Sequence, residues 1–239
     1  MNFSVQLYGL RDMVKDRAEF PALFPKLKEL GFDGVELWGV PEDPAALRRA
    51  LDGAGLAATG AHFGLDDLRP ERLPQTIAVC KTLGMPMMGI GGADHGTPER
   101  LEESCAVLKV AYDAAKADGI TVYYHNHESE FEPYPDGTLA IDRFMAACAL
   151  QLDSYWSFAA GIDNFAFLLE HKERICAVHI KDGVGEKTKA LGEGDCDLAS
   201  VVRAAKAIGL DWLVLENDDP APDGLSDAAR SMVWLRANV

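Results

Sequence analysis

A set of polar side chains in this sequence falls at or just past the ends of short apolar runs: Gln6, Glu36, His62, His125, Asn126, His127, Glu130, Asp153, His179, Lys181 and Glu216. Imidazoles and carboxylates are the side chains that ligate metals and move protons near neutral pH. In AVHIKDG, His179 and Lys181 lie two residues apart, so on one strand they share a face. Asp153 ends ALQLD and Glu216 ends LVLE. The segment ITVYYHNHESEF is the richest, with His125, Asn126, His127, Glu128 and Glu130 directly behind a β-branched and aromatic run. Carboxylates sharing one apolar cup repel each other, and a cation is the simplest resolution. Mixed histidine and carboxylate donors suit Mn²⁺, Fe²⁺, Co²⁺ or Zn²⁺ better than Mg²⁺, which prefers more oxygen; Mn²⁺ is the expected ion.

Such side chains act together only if the fold brings strand ends to one place. The apolar runs recur at intervals of roughly 30 residues, each followed by helical periodicity, as in linked parallel βα units. Strands are expected near Phe3–Leu7, Gly34–Leu37, Ala57–His62, Pro86–Ile90, Thr121–His125, Ala149–Asp153, Cys176–Lys181 and Trp212–Glu216. Asp43-Pro44 and Thr97-Pro98 mark helix starts, and Gly31, Gly55, Gly84, Gly119 and Gly209 mark helix ends. Eight strands predict an α/β fold, a (β/α)8 TIM barrel formed by residues 1–239 as one domain, whose site lies on the loops that follow the strands. The loop-rich tracts Glu132–Gly137 and Lys181–Cys196 fall there. The competing open, doubly wound sheet requires a phosphate-binding glycine loop after the first strand, and Leu7-Tyr8-Gly9-Leu10-Arg11 is not one.

Composition narrows the function. A formal net charge of −15, with 23 Lys and Arg spread along 239 residues, disfavours nucleic acid. No segment approaches a membrane-spanning run, and the N-terminus lacks the pattern of a secretion signal. Five scattered cysteines without a CxxC pair read as reduced thiols, so a cytoplasmic location is expected.

The motifs VQLYGLRD, LGFDGVELWG, YYHNHESEF, LDSYW, VHIKDG and LGEGDCDLASVVRAAKAIGLDWLVLEND run from end to end of the chain. In this combination the sequence resembles the xylose isomerase-like barrel superfamily of sugar isomerases and epimerases, in the branch carrying YHNHxxEF. The resemblance implies a divalent metal held by Glu130, Asp153, His179 and Glu216. Aligning HNH with the ENH-like motif of other branches makes His125 the rival strand-five ligand, with His127 as a further rival. Trp156 stands where many relatives carry a histidine, and it offers a sugar ring an apolar wall.

The expected substrate is a small keto-sugar or related carbohydrate. The metal polarises its carbonyl, and Glu130 or Glu216 moves a proton through an enediolate. His127 and Lys181 are candidate proton shuttles. Gln6, Glu36, His62, His125, Asn126 and Trp156 are candidate substrate contacts. Isomerisation or epimerisation is the first expectation. A dehydratase or lyase acting on an inosose or 3-keto-glycoside is the alternative, and a non-catalytic sugar-binding barrel is the third. Relatives that repair DNA carry more histidines for three zinc ions than this chain supplies. Self-association is an open expectation, since relatives are often dimers or tetramers.

Overall fold

The computed structural model describes residues 1–239. Eight parallel strands close a barrel: β1 (Asn2–Gln6), β2 (Gly34–Trp38), β3 (Ala57–Phe63), β4 (Met87–Ile90), β5 (Thr121–His125), β6 (Ala149–Asp153), β7 (Ile175–Ile180) and β10 (Trp212–Leu215). Between the last two, β8 (Asp182–Val184) and β9 (Lys187–Lys189) form an antiparallel hairpin. All eight expected barrel strands are present, and β10 pairs with β1 to close the ring. No helix is long and apolar enough to cross a membrane.

Local chemistry sets the element ends. The Asp43 side chain accepts the N–H of Ala46 at 2.8 Å, with Pro44 in the first helical turn, where its missing N–H costs nothing. At the other end of such a unit, Gly84 takes φ 67°, so its N–H turns back to the carbonyl of Lys81 before β4 begins. β1 stops one residue short of the expected Leu7. The side chain of Gln6 accepts the N–H of Tyr8 and starts a 3₁₀ turn over Leu7–Met13.

Strand alternation divides the wall into two faces with opposite chemistry. Val5, Val35, Leu37, Val122, Tyr124, Leu150, Leu152, Val178 and Ile180 join the apolar core that lies between the strands and the surrounding helices. The residues between them, Gln6, Glu36, Tyr123, His125, Gln151, Asp153 and His179, are buried and face the bore. Room for this polar filling comes from glycine. A Cβ on Gly89 would lie 2.3 Å from the Tyr123 ring, so the tyrosine can cross the bore only because that position has no side chain.

The tract Lys181–Cys196, expected as loop, is organised by one carboxylate. Asp182 accepts the backbone N–H of Gly183 (2.9 Å), Gly192 (2.8 Å), Gly194 (3.0 Å) and Cys196 (3.1 Å). The Asp of HIKDG and the glycines of LGEGD are therefore two halves of one clamp that holds this loop against the end of β7.

Candidate functional site

Registers in the second half of the barrel bring the site together. His125 pairs with Gln151 across β5 and β6, and Asp153 pairs with His179 across β6 and β7. Glu216 follows β10. Single donor atoms of His125, Asp153, His179 and Glu216 all lie within 4.8 Å of one another, and all four residues are buried. His125 Nε2 is 3.9 Å from both Asp153 Oδ2 and Glu216 Oε2, and His179 Nδ1 is 2.9 Å from Glu216 Oε2.

The cluster fits a divalent cation on two grounds. Its donor set, two imidazoles and two carboxylates, is the kind that binds transition metals. The second ground is Asp153 Oδ2, which is fully buried and takes no hydrogen bond. The fixed cation beside it is Lys181 Nζ, at 3.3 Å. Burial raises the Asp153 carboxyl above its usual range, against the pull of Lys181. The Lys181 charge thus offsets the burial of this carboxyl only in part. Glu216 moves the other way: burial would raise it, but Lys181 and His179 outweigh burial and hold it well below the usual range. Burial, reinforced by the His179 charge, keeps His125 well below the ordinary histidine range and therefore neutral, the form that ligates metals. Burial opposes protonation of His179 too, but Glu36 and Glu216 on either side of the ring raise it to about 10.

Beneath the cluster lies Glu36, fully buried. It accepts hydrogen bonds from Gln6 Nε2 (2.7 Å), Tyr123 OH (2.8 Å), Gln151 Nε2 (2.6 Å) and His179 Nε2 (2.5 Å). Burial would raise this carboxyl; the His179 and His62 charges and these bonds bring it to about 2. Above the cluster opens a cavity of about 940 Å³ lined by Tyr8, Trp38, His62, His125, His127, Trp156, Glu216 and Asp218, among others. Aromatic rings stand on both sides of it: Tyr8 meets Trp38 edge-on at 5.0 Å, and His127 is 6.1 Å from Trp156. Lys181 lies deeper, wholly buried, between Asp153, Glu216 and Asp218.

Several expected roles change with this placement. Glu130 is not among the clustered donors. Its carboxylate accepts Tyr124 OH at 2.5 Å and the His127 N–H at 2.9 Å. Tyr124 precedes His125 in β5 and points to the opposite face, stacking on Phe144 at 3.7 Å, so Glu130 is held on the helix side of the strand. His125, the rival reading, occupies the strand-five position in the cluster. Gln6 and Glu36 lie under the cluster rather than in the cavity, where they bond to each other and to neighbouring protein groups. Asn126 accepts the N–H of Asp153 at 3.0 Å, tying the end of β5 to that of β6, and does not line the cavity. His62, His125, His127, Trp156 and Glu216 do line it.

Not anticipated were Gln151, Tyr123, Tyr8, Trp38 and Asp218. Four of them carried a readable signal, because Gln151, Tyr123, Trp38 and Asp218 lie two residues from Asp153, His125, Glu36 and Glu216, a spacing that shares a face on an extended strand. Tyr8 depends on the 3₁₀ turn after β1 and left no such trace.

Known proteins share this architecture. A sugar phosphate isomerase/epimerase from Parabacteroides distasonis superposes with a TM-score of 0.79 at 19% identity, covering 99% of this chain and 93% of that one. The probable 3-DHS dehydratase AsbF of Bacillus anthracis also gives 0.79, at 13% identity, with 99% of each chain covered. The rhizopine catabolism protein MocC of Rhizobium meliloti is 26% identical over 203 residues, which span 74% of this chain and only 62% of that longer protein. Residues 24–238 match the family described as the xylose isomerase-like TIM barrel. The chain belongs to that family.

Proposed function

We propose that this barrel is a divalent-metal-dependent isomerase or epimerase of a small keto-sugar, with His125, Asp153, His179 and Glu216 as the metal ligands. The observation that carries this reading is the unsatisfied, buried Oδ2 of Asp153 within a group of four ligand-type donors. Bound there, Mn²⁺ or a similar ion would polarise the substrate carbonyl and stabilise the negative charge that develops when the neighbouring carbon loses its proton.

The chain's own groups do the remaining work. Glu216 is the base best placed to take that proton: it lines the cavity and is kept ionised by Lys181 and His179. Lys181 is held cationic, its ammonium stabilised by Asp153, Glu216 and Asp218 against the cost of burial, so it steadies negative charge rather than acting as a base. His127, its side chain 44% exposed and its ring beside Trp156, is the group free to deliver a proton from across the cavity. The aromatic rings on the two sides offer flat apolar faces to a sugar ring. With no cation in the cavity lining other than Arg17, which stacks on Trp38 and bonds its carbonyl, a neutral sugar suits it better than a phosphorylated one.

The isomerase and epimerase reading draws on the Parabacteroides neighbour. The dehydratase reading draws on AsbF and on His127, which could protonate a departing hydroxyl. Five free thiols suit a reducing compartment such as the cytoplasm.

Elemental analysis of protein purified without added metal, followed by assay of keto-sugars, inososes and 3-keto-glycosides with Mn²⁺ in D₂O, tests the proposal. Deuterium beside the carbonyl of an otherwise unaltered sugar supports the isomerase or epimerase; loss of water from the product supports the dehydratase. Absence of bound metal together with no rescue by Mn²⁺, Fe²⁺, Co²⁺ or Zn²⁺ would remove both.

A further inference from the structure

We infer that Glu36 and Gln151 are positioning residues which hold the N–H on the far side of each cluster histidine, so that the ring nitrogen turned toward the metal position is the one available to ligate. The inference rests on the metal reading of that cluster and adds to it two residues that touch neither metal nor substrate.

Four donors surround Glu36, so it serves as an ionised carboxylate that only accepts hydrogen bonds. Its contact with Gln151, 2.6 Å, must therefore be made by the amide nitrogen of Gln151. That choice turns Gln151 Oε1 the other way, where it lies 3.2 Å from His125 Nδ1 and 2.7 Å from His62 Nε2. An amide oxygen only accepts, so both ring nitrogens carry hydrogen. A neutral imidazole has one N–H, and with it on Nδ1 the Nε2 of His125 presents a lone pair toward Asp153 and Glu216, each 3.9 Å away.

The same carboxylate fixes His179 directly. Glu36 Oε2 takes the Nε2–H, while Nδ1 gives its hydrogen to Glu216 Oε2 at 2.9 Å, the proton that a metal at this position would displace. One buried acid thus orients two ligands, one by contact and one through an amide that it forces into a single orientation. Gln6 follows the same logic: its nitrogen is drawn to Glu36, and its oxygen is left to cap the N–H of Tyr8, a wall of the cavity. Partners of this kind commonly change metal affinity by about 10- to 100-fold.

The decisive experiment exchanges the two groups. Glu36→Gln puts a competing N–H donor under the cluster, and Gln151→Glu sets two carboxylates against each other. Each single variant should weaken Mn²⁺ binding, measured by chelator competition, by about 10-fold or more. The double variant Glu36→Gln, Gln151→Glu restores one carboxylate and one amide in mirrored order, and the carboxylate at position 151 then accepts from His125 and His62. It should bind within about 3-fold of wild type, a coupling that independent sites do not show. In ¹⁵N-histidine NMR of metal-free wild type, His125 should be the Nδ1–H tautomer. Gln151→Met, which removes the acceptor and leaves Glu36 intact, should give a tautomer mixture even if Glu36→Gln fails to fold. An unchanged His125 signature in Gln151→Met, or additive losses in the double variant, would overturn the inference. A wild-type protein that binds no metal yet shows the Nδ1–H signature would overturn the metal reading and leave the positioning intact.

Discussion

Lys181 Nζ lies 3.0 Å from Glu216 Oε2, inside the group of acids and wholly buried. The contact explains how two bore carboxylates, Asp153 and Glu216, coexist in one apolar setting, whereas the third, Glu36, is matched by His179. It also predicts how the protein behaves without metal. Lys181→Met leaves Asp153 and Glu216 without their fixed cation, a loss that for buried ion pairs costs about 3–5 kcal/mol. The metal-free variant should melt well below wild type, and Mn²⁺ should raise its melting temperature by more than it raises that of the wild type. Coincident melting of the two metal-free proteins would mean that the lysine carries no such compensation.

His125 and Glu130 compete for one role, and paired substitutions separate them. His125→Ala removes a donor from the cluster and should lower metal occupancy together with activity. Glu130→Gln should leave metal content unchanged and instead lower stability, by about 1–3 kcal/mol, because Tyr124 OH and the His127 N–H lose a charged acceptor. Metal analysis of the two purified variants, with thermal melts, decides between the assignments; metal loss in Glu130→Gln alone would reverse them.

The aromatic walls should affect substrate and not metal. Trp38→Ala and Trp156→Ala each remove a ring face worth about 1–2 kcal/mol, so KM should rise about 5- to 30-fold with the Mn²⁺ dissociation constant unchanged. If both variants turn over substrate with wild-type KM, the sugar lies elsewhere.

Burial pushes every thiol up. Cys80 and Cys196 reach about 12, Cys105 about 11, and Cys148 and Cys176 are raised as well. The thiolate is the reactive form, so at pH 8 the native protein should react with a thiol-specific disulfide reagent far more slowly than the same protein in urea. Rapid labelling of any native cysteine at pH 8 would contradict the packing around it.

How much of this was legible in the sequence differs from element to element. The barrel was, because each strand end is announced locally: alternation ends at Asp153, a glycine closes the helix before β4, and Asp43 or Thr97 opens the next one. Asp153, His179 and Glu216 were legible for the same reason, each being the ligand-type residue at the end of an apolar run. Glu130 was misplaced because it lies past the end of β5, in a 3₁₀ turn whose direction no periodicity reports. A turn of that kind decides whether a side chain falls inside the wall or outside it, and here Tyr124 draws it outside. Glu36 was legible as a mouth acid but not in depth, since its level in the bore follows from barrel closure, which brings Tyr123 and Gln151 to it from 87 and 115 residues away in the chain.

Asp182 ties the loop that follows β7 from within, and the tie has a consequence for how the protein meets proteases. A glycine-rich surface segment such as Gly183–Cys196 is ordinarily the first place to be nicked, because it can be drawn out into an extended strand at little cost. Here drawing it out strips four amide donors from a buried carboxylate at once. Cleavage in this segment should therefore wait for the barrel itself to open, and its rate should follow global unfolding rather than local fraying.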